Sequence, residues 1–148
     1  MKVVIQRVRH ASVTIDNEVF NKIEKGFMLL VGITDGDNEE IVDKMANKVV
    51  DLRIFDDPDG KMNLGIEEVG GSILSISQFT LYADCKKGRR PSFIAAARPE
   101  VSKPLYEKFN DVLAKRVEVK PGIFGAEMLI DLVNDGPITI VLDSKEIL

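Results

Sequence analysis

Asn134-Asp135-Gly136-Pro137-Ile138-Thr139 separates two apolar runs near the end of the chain, Met128–Val133 and Ile138–Leu142. Two β-prone runs joined by Asn-Asp-Gly-Pro predict a β-hairpin whose turn residues tolerate unusual backbone angles. Pro137 does not fit a regular hairpin, because it has no N–H to donate where the second strand should begin to pair. A Gly-Pro bond can also be cis, as roughly 5–6% of X–Pro bonds in folded proteins are. A rigid turn of this kind can present its backbone carbonyls outward as fixed acceptors, which makes it a candidate recognition element.

The composition of the 148-residue chain predicts one soluble globular domain over residues 1–148. Hydrophobic residues at 45% and charged residues at 30% are typical of folded rather than disordered chains. The single cysteine, Cys85, excludes an intramolecular disulfide, and no Cys/His cluster is present to bind zinc. Because signal-peptide and membrane-length apolar patterns are absent, we expect a cytoplasmic protein. The net charge of −4 argues against non-specific coating of nucleic acid but allows a local basic patch.

Alternating residues predict two strands at the start of the chain, Lys2–Val8 and Ala11–Ile15. The first is apolar on both faces, so we expect it to be central and covered on both sides. Arg7 is unusual in such a strand. It is either a side chain that snorkels at a sheet edge or a guanidinium that braces backbone carbonyls elsewhere.

Helical patterns and further strands complete a mixed α/β prediction. Apolar residues recur at helical spacing in two segments, through Ile41, Met45 and Val49 and through Leu105, Phe109, Val112 and Leu113. Apolar strands are predicted at Phe27–Ile33 and from Ser72 onward. The two helices are therefore expected to cover one face of a sheet.

A polar stretch, Ser77-Gln78-Phe79-Thr80, follows the apolar strand that begins at Ser72. The end of a strand is a common position for a functional site. Thr80 could be a nucleophile, but a threonine hydroxyl needs a base or an N-terminal amine to activate it. The chain has one histidine, His10, and no evident Ser/Thr-His-Asp set. A threonine with a structural hydrogen bond is at least as good an interpretation.

One concentrated basic run, Lys86-Lys87-Gly88-Arg89-Arg90, comes soon after this polar stretch. Charge runs are usually solvated loops. Its position next to the candidate site favours contact with phosphate groups.

Three motifs taken together resemble the D-aminoacyl-tRNA deacylase family. They are Ser77-Gln78-Phe79-Thr80-Leu81-Tyr82-Ala83, Gly88-Arg89-Arg90-Pro91-Ser92-Phe93 and Asn134-Asp135-Gly136-Pro137-Ile138-Thr139. The opening Gln6-Arg7-Val8 and the length of the chain fit as well, so the resemblance covers the whole chain. Each motif alone is weak, whereas three in order at family-like spacing are specific. The one departure is Ile138, where valine is usual, and that change is conservative.

The resemblance implies a three-layer α/β/β fold, in which two helices cover a sheet that is backed by a second, mostly antiparallel sheet. It also implies a homodimer, with a cis Gly136-Pro137 bond that enters the active site of the partner subunit. There its carbonyls would accept from the α-amino group of the amino acid on the tRNA 3′ end and leave no room for an L side chain. Arg7 would brace this turn.

The resemblance also assigns roles to the remaining site residues. The segment from Ser77 through Gln78 and Phe79 to Thr80 would line the pocket for the terminal adenosine and the ester. Other pocket residues would be Phe93, Phe124, Gly125, Ala126 and Met128, and the tRNA contacts would be Lys86, Lys87, Arg89 and Arg90. No metal or other cofactor is implied.

The chemistry of the implied substrate agrees with the residues at hand. An aminoacyl ester is already activated, so hydrolysis needs a positioned water and donors for the oxyanion more than a strong nucleophile. Backbone N–H groups near Phe79 and Thr80 could be those donors, and the 2′-hydroxyl of the terminal ribose could assist the water. We therefore expect Thr80 to position rather than attack, and glycine, which lacks a side chain, to be accepted.

Two other functions remain open at this point. One is the related deacylase that removes L-alanine mischarged on tRNA, in which the Gly-Pro bond is trans and the pocket more open. The other is a non-catalytic nucleic-acid-binding module that uses residues 86–90. Its binding should depend strongly on salt and be indifferent to aminoacylation.

Overall fold

The computed structural model describes residues 1–148, most of which lie in strands and helices. The strands are β1 Lys2–Ile15, β2 Glu18–Ile23, β3 Gly26–Gly32, β4 Phe55–Asp56, β5 Met62–Leu64, β6 Ser72–Ser77, β7 Glu118–Pro121 and β8 Leu129–Asp143. The helices are α1 Glu39–Asp51, α2 Pro99–Ala114 and α3 Ser144–Ile147, and a 3₁₀ helix spans Phe79–Tyr82. No helix is long and apolar enough to cross a membrane.

β1 is one continuous strand, so the prediction of separate strands at Lys2–Val8 and Ala11–Ile15 is wrong. The first part of β1 pairs antiparallel with β3, and the part from Ala11 onward pairs with β2. His10, which falls between the two predicted strands, is an exposed residue of β1. The break that the sequence pattern indicated is the point where β1 changes partner, and one long strand therefore belongs to two layers.

β8 is also a single strand, so the predicted hairpin around Asn134 is wrong. Both apolar halves of β8 pair with the same antiparallel partner, β1. The register shifts where Gln6 faces Thr139 and Val8 faces Asn134. Four residues of β8, 135–138, therefore lie opposite the single residue Arg7, and they leave the ladder as an enlarged bulge.

The main sheet has the order β2-β1-β3-β6-β7, with β8 also paired to β1. β6 is parallel to both β3 and β7, whereas the pairs made by β1 are antiparallel. α1 and α2 cover one face and bury the larger core, in which Met45, Val49, Phe109, Val112 and Leu113 of the predicted helical stripes lie. The predicted mixed α/β class, with two helices over a sheet, is confirmed.

The layer behind this sheet is a continuation of the same sheet. The far halves of β1 and β8, together with β2, curl under β3 and β6 around a smaller core that includes Val13, Ile23 and Leu74. Asn21 Nδ2 donates to the Pro121 carbonyl at 2.7 Å and ties β2 to the opposite edge strand, β7. The sheet therefore nearly closes into a barrel, and the separate two-stranded sheet is the small β4-β5 pair.

Candidate active site

A pocket of about 520 Å³ opens where β6 ends and the 3₁₀ helix Phe79–Tyr82 begins. β6 is a largely buried strand between two parallel neighbours. Its last residue, Ser77, therefore lies on the side of the sheet where these parallel strands end. Gln78 then turns the chain, and its backbone N–H donates to the Val31 carbonyl at 2.8 Å. Most of the wall is hydrophobic, with a few polar groups from Ser77 and Gln78, as is usual for a small-molecule site.

Eight of the predicted site residues line this one pocket. They come from three separate parts of the sequence and comprise Ser77, Gln78, Phe79, Phe93, Phe124, Gly125, Ala126 and Met128. Thr80 is not part of the wall, although it was expected to line the pocket with its neighbours. It is joined to the wall by a hydrogen bond, because Gln78 Nε2 donates to Thr80 Oγ1 at 2.6 Å.

Aromatic contacts fix two sides of the pocket. The rings of Phe79 and Phe93 meet edge to face with centroids 5.1 Å apart, and both side chains are exposed. On the other side, Phe124 packs against Tyr106 of α2 at 6.1 Å. The Tyr106 hydroxyl donates to the Ser75 carbonyl at 2.7 Å, and burial raises the pKa of Tyr106, so the phenol remains a donor. Helix α2 is thereby anchored to the strand that carries Ser77.

The Gly136-Pro137 turn does not line this pocket in its own chain. The bond between the two residues is cis, the isomer that the resemblance implies, and both residues are exposed. Asn134 closes the turn from inside, since its Oδ1 accepts the Ile138 N–H at 2.7 Å and its Nδ2 donates to Thr139 Oγ1 at 3.0 Å. A Cβ at Gly136 would lie 2.8 Å from Ile138 Cγ1, so this position requires glycine. The turn is a fixed feature that faces solvent.

Arg7 lies next to that turn with only 6% of its surface exposed. Its Nε donates to the Asp135 carbonyl at 3.0 Å, and its Nη1 donates to the Ile54 carbonyl at 2.7 Å. Two carboxylates balance its charge, Asp56 at 3.5 Å and Asp135 at 3.8 Å. The interpretation of Arg7 as a snorkelling edge residue is wrong. The guanidinium contacts backbone carbonyls on both sides, and its planar fork joins Ile54, the residue before β4, to the bulge of β8.

A family model described as D-Tyr-tRNA(Tyr) deacylase matches residues 4–143. The chain belongs to this deacylase family. Among solved structures, it is similar to one described as "c-Myc DNA Unwinding Element Binding Protein", with 37% identity and a TM-score of 0.91 over 97% of this chain and 98% of the other. It is also similar to one described as "a probable eukaryotic D-amino acid tRNA deacylase", with 19% identity and a TM-score of 0.80 over 95% of this chain and 97% of the other. At that identity the second likeness shows a shared fold.

The basic run of this deacylase-family chain lies outside the pocket. Its four cationic residues, Lys86, Lys87, Arg89 and Arg90, are all exposed. The base of the loop is closed by two backbone hydrogen bonds between Asp84 and Ser92, of 2.7 and 2.9 Å. Phe93 of the pocket wall follows directly, so the loop lies beside the pocket and contact with phosphate stays a prediction.

Sequence reasoning missed the apolar half of the deacylase-family pocket. The residues concerned are Val31, Ile33, Ile76, Ala96, Ala97, Pro99, Ser102 and Ile130. Most of these side chains are apolar and small, and nothing local distinguishes them from core residues. Val31 joins the site because β3 pairs parallel with β6 and places it opposite Ser77, which is a long-range effect. The one local signal was the run Ala95-Ala96-Ala97, of which Ala96 and Ala97 line the pocket with Phe93.

Proposed function

We propose that this protein hydrolyses the ester bond of D-aminoacyl-tRNAs and releases the free D-amino acid and the tRNA. The observation that carries the proposal is the convergence of eight predicted site residues on one pocket in a chain of the deacylase family. In the reaction, water adds to the ester carbonyl carbon and the bond from that carbon to the ribose oxygen breaks. The proton released by the water ends on the ribose hydroxyl.

The 3₁₀ helix provides backbone donors for the oxyanion. Around this turn the N–H groups of Gln78, Leu81 and Ala83 donate to backbone carbonyls, and Phe79 and Thr80 are the first two residues of the 3₁₀ helix. The first N–H groups of a helix have no partner within the helix. Donors fixed in advance stabilise the charge that develops on the carbonyl oxygen, which is typically the largest contribution to catalysis of acyl transfer.

Thr80 acts as a positioning residue. A nucleophilic hydroxyl needs a base that accepts its proton, whereas the Gln78 amide donates to Thr80 Oγ1 at 2.6 Å. The hydroxyl therefore holds the Gln78 side chain at the pocket wall. The attacking group is water, assisted by the 2′-hydroxyl of the terminal ribose of the substrate.

Chirality is selected by the carbonyls of the Gly136-Pro137 turn, which enters the pocket of a second subunit. This role fits a turn that is exposed, closed by Asn134 and held by Arg7 through the Asp135 carbonyl. β8, which carries the turn, also exposes Leu129 and Val141 at 68% and 63%. Large exposed apolar side chains on one strand are suited to contact with another copy. Glycine has no side chain to reject, so glycyl-tRNA is hydrolysed as well.

A second candidate is a nucleic-acid-binding function. The observation that favours it is the likeness to a solved structure described as a DNA unwinding element binding protein. The exposed basic loop at residues 86–90 would make the contacts. Binding of this kind falls steeply with salt and does not require an aminoacyl group.

Release of amino acid from D-tyrosyl-tRNA separates these functions. The purified protein is expected to turn over D-tyrosyl-tRNA many times and to leave L-alanyl-tRNA intact. Hydrolysis of L-alanyl-tRNA alone would assign the protein to the L-alanine type instead. Retention of charged and uncharged tRNA with equal affinity and without hydrolysis would support the binding module.

A further inference from the structure

A second concave site lies beside the reaction pocket. It is an open groove of about 420 Å³, and its lining includes Lys2, Tyr82, Asp84, Lys86 and Ala95. We propose that this groove binds a phosphodiester group of the single strand that leaves the reaction pocket, with Lys2 and Lys86 as its cationic ligands. The inference rests on the proposed function, because that function places the 3′ end of a tRNA in the reaction pocket.

The two sites are lined by the same two segments of the chain. Phe79 lines the reaction pocket and Tyr82 lines the groove, at opposite ends of the same 3₁₀ helix. Residues three apart in a 3₁₀ helix are eclipsed, and they are separated by about 6 Å along its axis at about 2.0 Å per residue. Two adjacent residues of a second segment are divided between the sites in the same way, since Ala96 lines the pocket and Ala95 lines the groove. A strand leaving the pocket over the 3₁₀ helix therefore reaches the groove within one nucleotide.

The charge of the groove suits an anion. Lys2 Nζ lies 4.8 Å from the centre of the Tyr82 ring and donates to the Leu81 carbonyl at 3.5 Å, which leaves other N–H groups of the ammonium available. Neither Lys2 nor Lys86 forms an ion pair with a carboxylate of the chain. Lysine is a common phosphate ligand that acts as a point charge.

One carboxylate also lines the groove. Asp84 Oδ1 accepts the backbone N–H of Lys86 at 2.9 Å, so this oxygen is engaged in holding the loop. The two lysines outnumber it, and Lys87, Arg89 and Arg90 extend the positive charge along the loop. The lining residues of the groove therefore carry a net positive charge, and the groove continues into the basic loop.

The test compares two substrates that share the ester but differ in phosphate. One is D-tyrosyl-tRNA, and the other is D-tyrosyl-adenosine, which carries the same ester and no phosphate. Lys2→Met removes the charge and keeps a side chain of similar length. Lys22→Met, at an exposed position of β2 outside both sites, is the matched control. Melting temperatures verify that each variant is folded.

Lys2→Met is expected to raise the KM for D-tyrosyl-tRNA about 3- to 10-fold and to leave both kcat and the KM for D-tyrosyl-adenosine unchanged. The salt dependence of log KM for the tRNA should fall by roughly 0.7, the value for one contact to a single strand. Lys22→Met should change neither substrate.

Three results would overturn the inference while leaving the deacylase function intact. They are an unchanged KM for tRNA in Lys2→Met, an equal loss on both substrates, and an equal effect of Lys22→Met. The two proposals fail separately, because a wild-type protein that hydrolyses neither substrate contradicts the proposed function itself.

Discussion

At the level of single residues, the hydrogen bond from Gln78 to Thr80 is the observation behind the proposal that the hydroxyl positions rather than attacks. Thr80→Val keeps the shape of the side chain and removes the hydroxyl. We expect kcat on D-tyrosyl-tRNA to stay within about threefold of the wild type, which is less than about 0.7 kcal/mol of activation free energy. Steady-state hydrolysis at saturating D-tyrosyl-tRNA measures this directly. A loss greater than about 100-fold with an unchanged melting temperature would contradict this weak positioning role and would indicate that the hydroxyl takes part directly in the reaction.

Arg7 is the residue whose chemistry is least replaceable. Its guanidinium reaches the Asp135 and Ile54 carbonyls at once, which the point charge of lysine cannot do. Arg7→Lys is therefore expected to lower the free energy of unfolding by about 1.5–3 kcal/mol, the usual range for hydrogen bonds to charged groups. The D/L ratio of kcat/KM should fall as well, because the turn loses its brace.

Arg9→Lys is the matched control for that variant. Arg9 pairs with the same Asp135 carboxylate at 3.7 Å, but 74% of its side chain is exposed. Exposed ion pairs contribute about 0–1 kcal/mol, so the control should leave both stability and the D/L ratio close to those of the wild type. Equal effects of the two substitutions would refute a specific role for Arg7.

Among the elements, β8 is the strand whose pairing partner the local sequence pattern did not predict. The two apolar runs and their turn residues were read correctly from the sequence, and the hairpin between them was not. Whether two runs pair with each other or both follow one long partner depends on β1, whose 14 residues accept both halves. That choice is made by long-range pairing, which no local signal in residues 128–142 reports.

The bulge of β8 requires glycine at position 136, and this requirement can be tested. Its φ of 137° is rarely adopted by L-residues, and a Cβ would meet Ile138 Cγ1 at 2.8 Å. Gly136→Ala should therefore distort the turn and greatly reduce deacylation. Gly60→Ala is the control, since Gly60 also has a positive φ, of 78°, but nothing lies within 4 Å of the added Cβ. Equal changes in melting temperature and activity for the two variants would contradict a requirement for glycine in the turn.

The pocket was predictable where its residues carry distinctive chemistry. Ser77, Gln78 and Phe79 were found because a polar stretch ends an apolar strand within a recognisable motif. Val31 and Ile130 were missed because an apolar residue that faces a pocket has the same pattern as one that faces the core. The position of Arg7 was also not predictable from its local sequence, which allowed either an exposed or a buried side chain. The residues that it contacts lie 47 and 128 positions away in the chain.

At the scale of the whole molecule, the proposed site requires two subunits. We pair Ala126→Trp, which fills the pocket, with Gly136→Ala, which spoils the turn. Each variant alone should be nearly inactive. Refolded together, they should recover about one quarter of wild-type activity, because half of a statistical mixture is heterodimer and each heterodimer has one complete site. Heterodimers that form but remain inactive would show that the turn does not act across the interface.

The proposed function is hydrolysis of D-aminoacyl esters on tRNA with rejection of their L counterparts. The most direct measurement is kcat/KM for D-tyrosyl-tRNA and L-tyrosyl-tRNA with one preparation of enzyme. We predict a preference for the D substrate of at least about 100-fold, equivalent to roughly 2.8 kcal/mol of differential transition-state binding. Comparable hydrolysis of both substrates, or hydrolysis of neither, would contradict the claim.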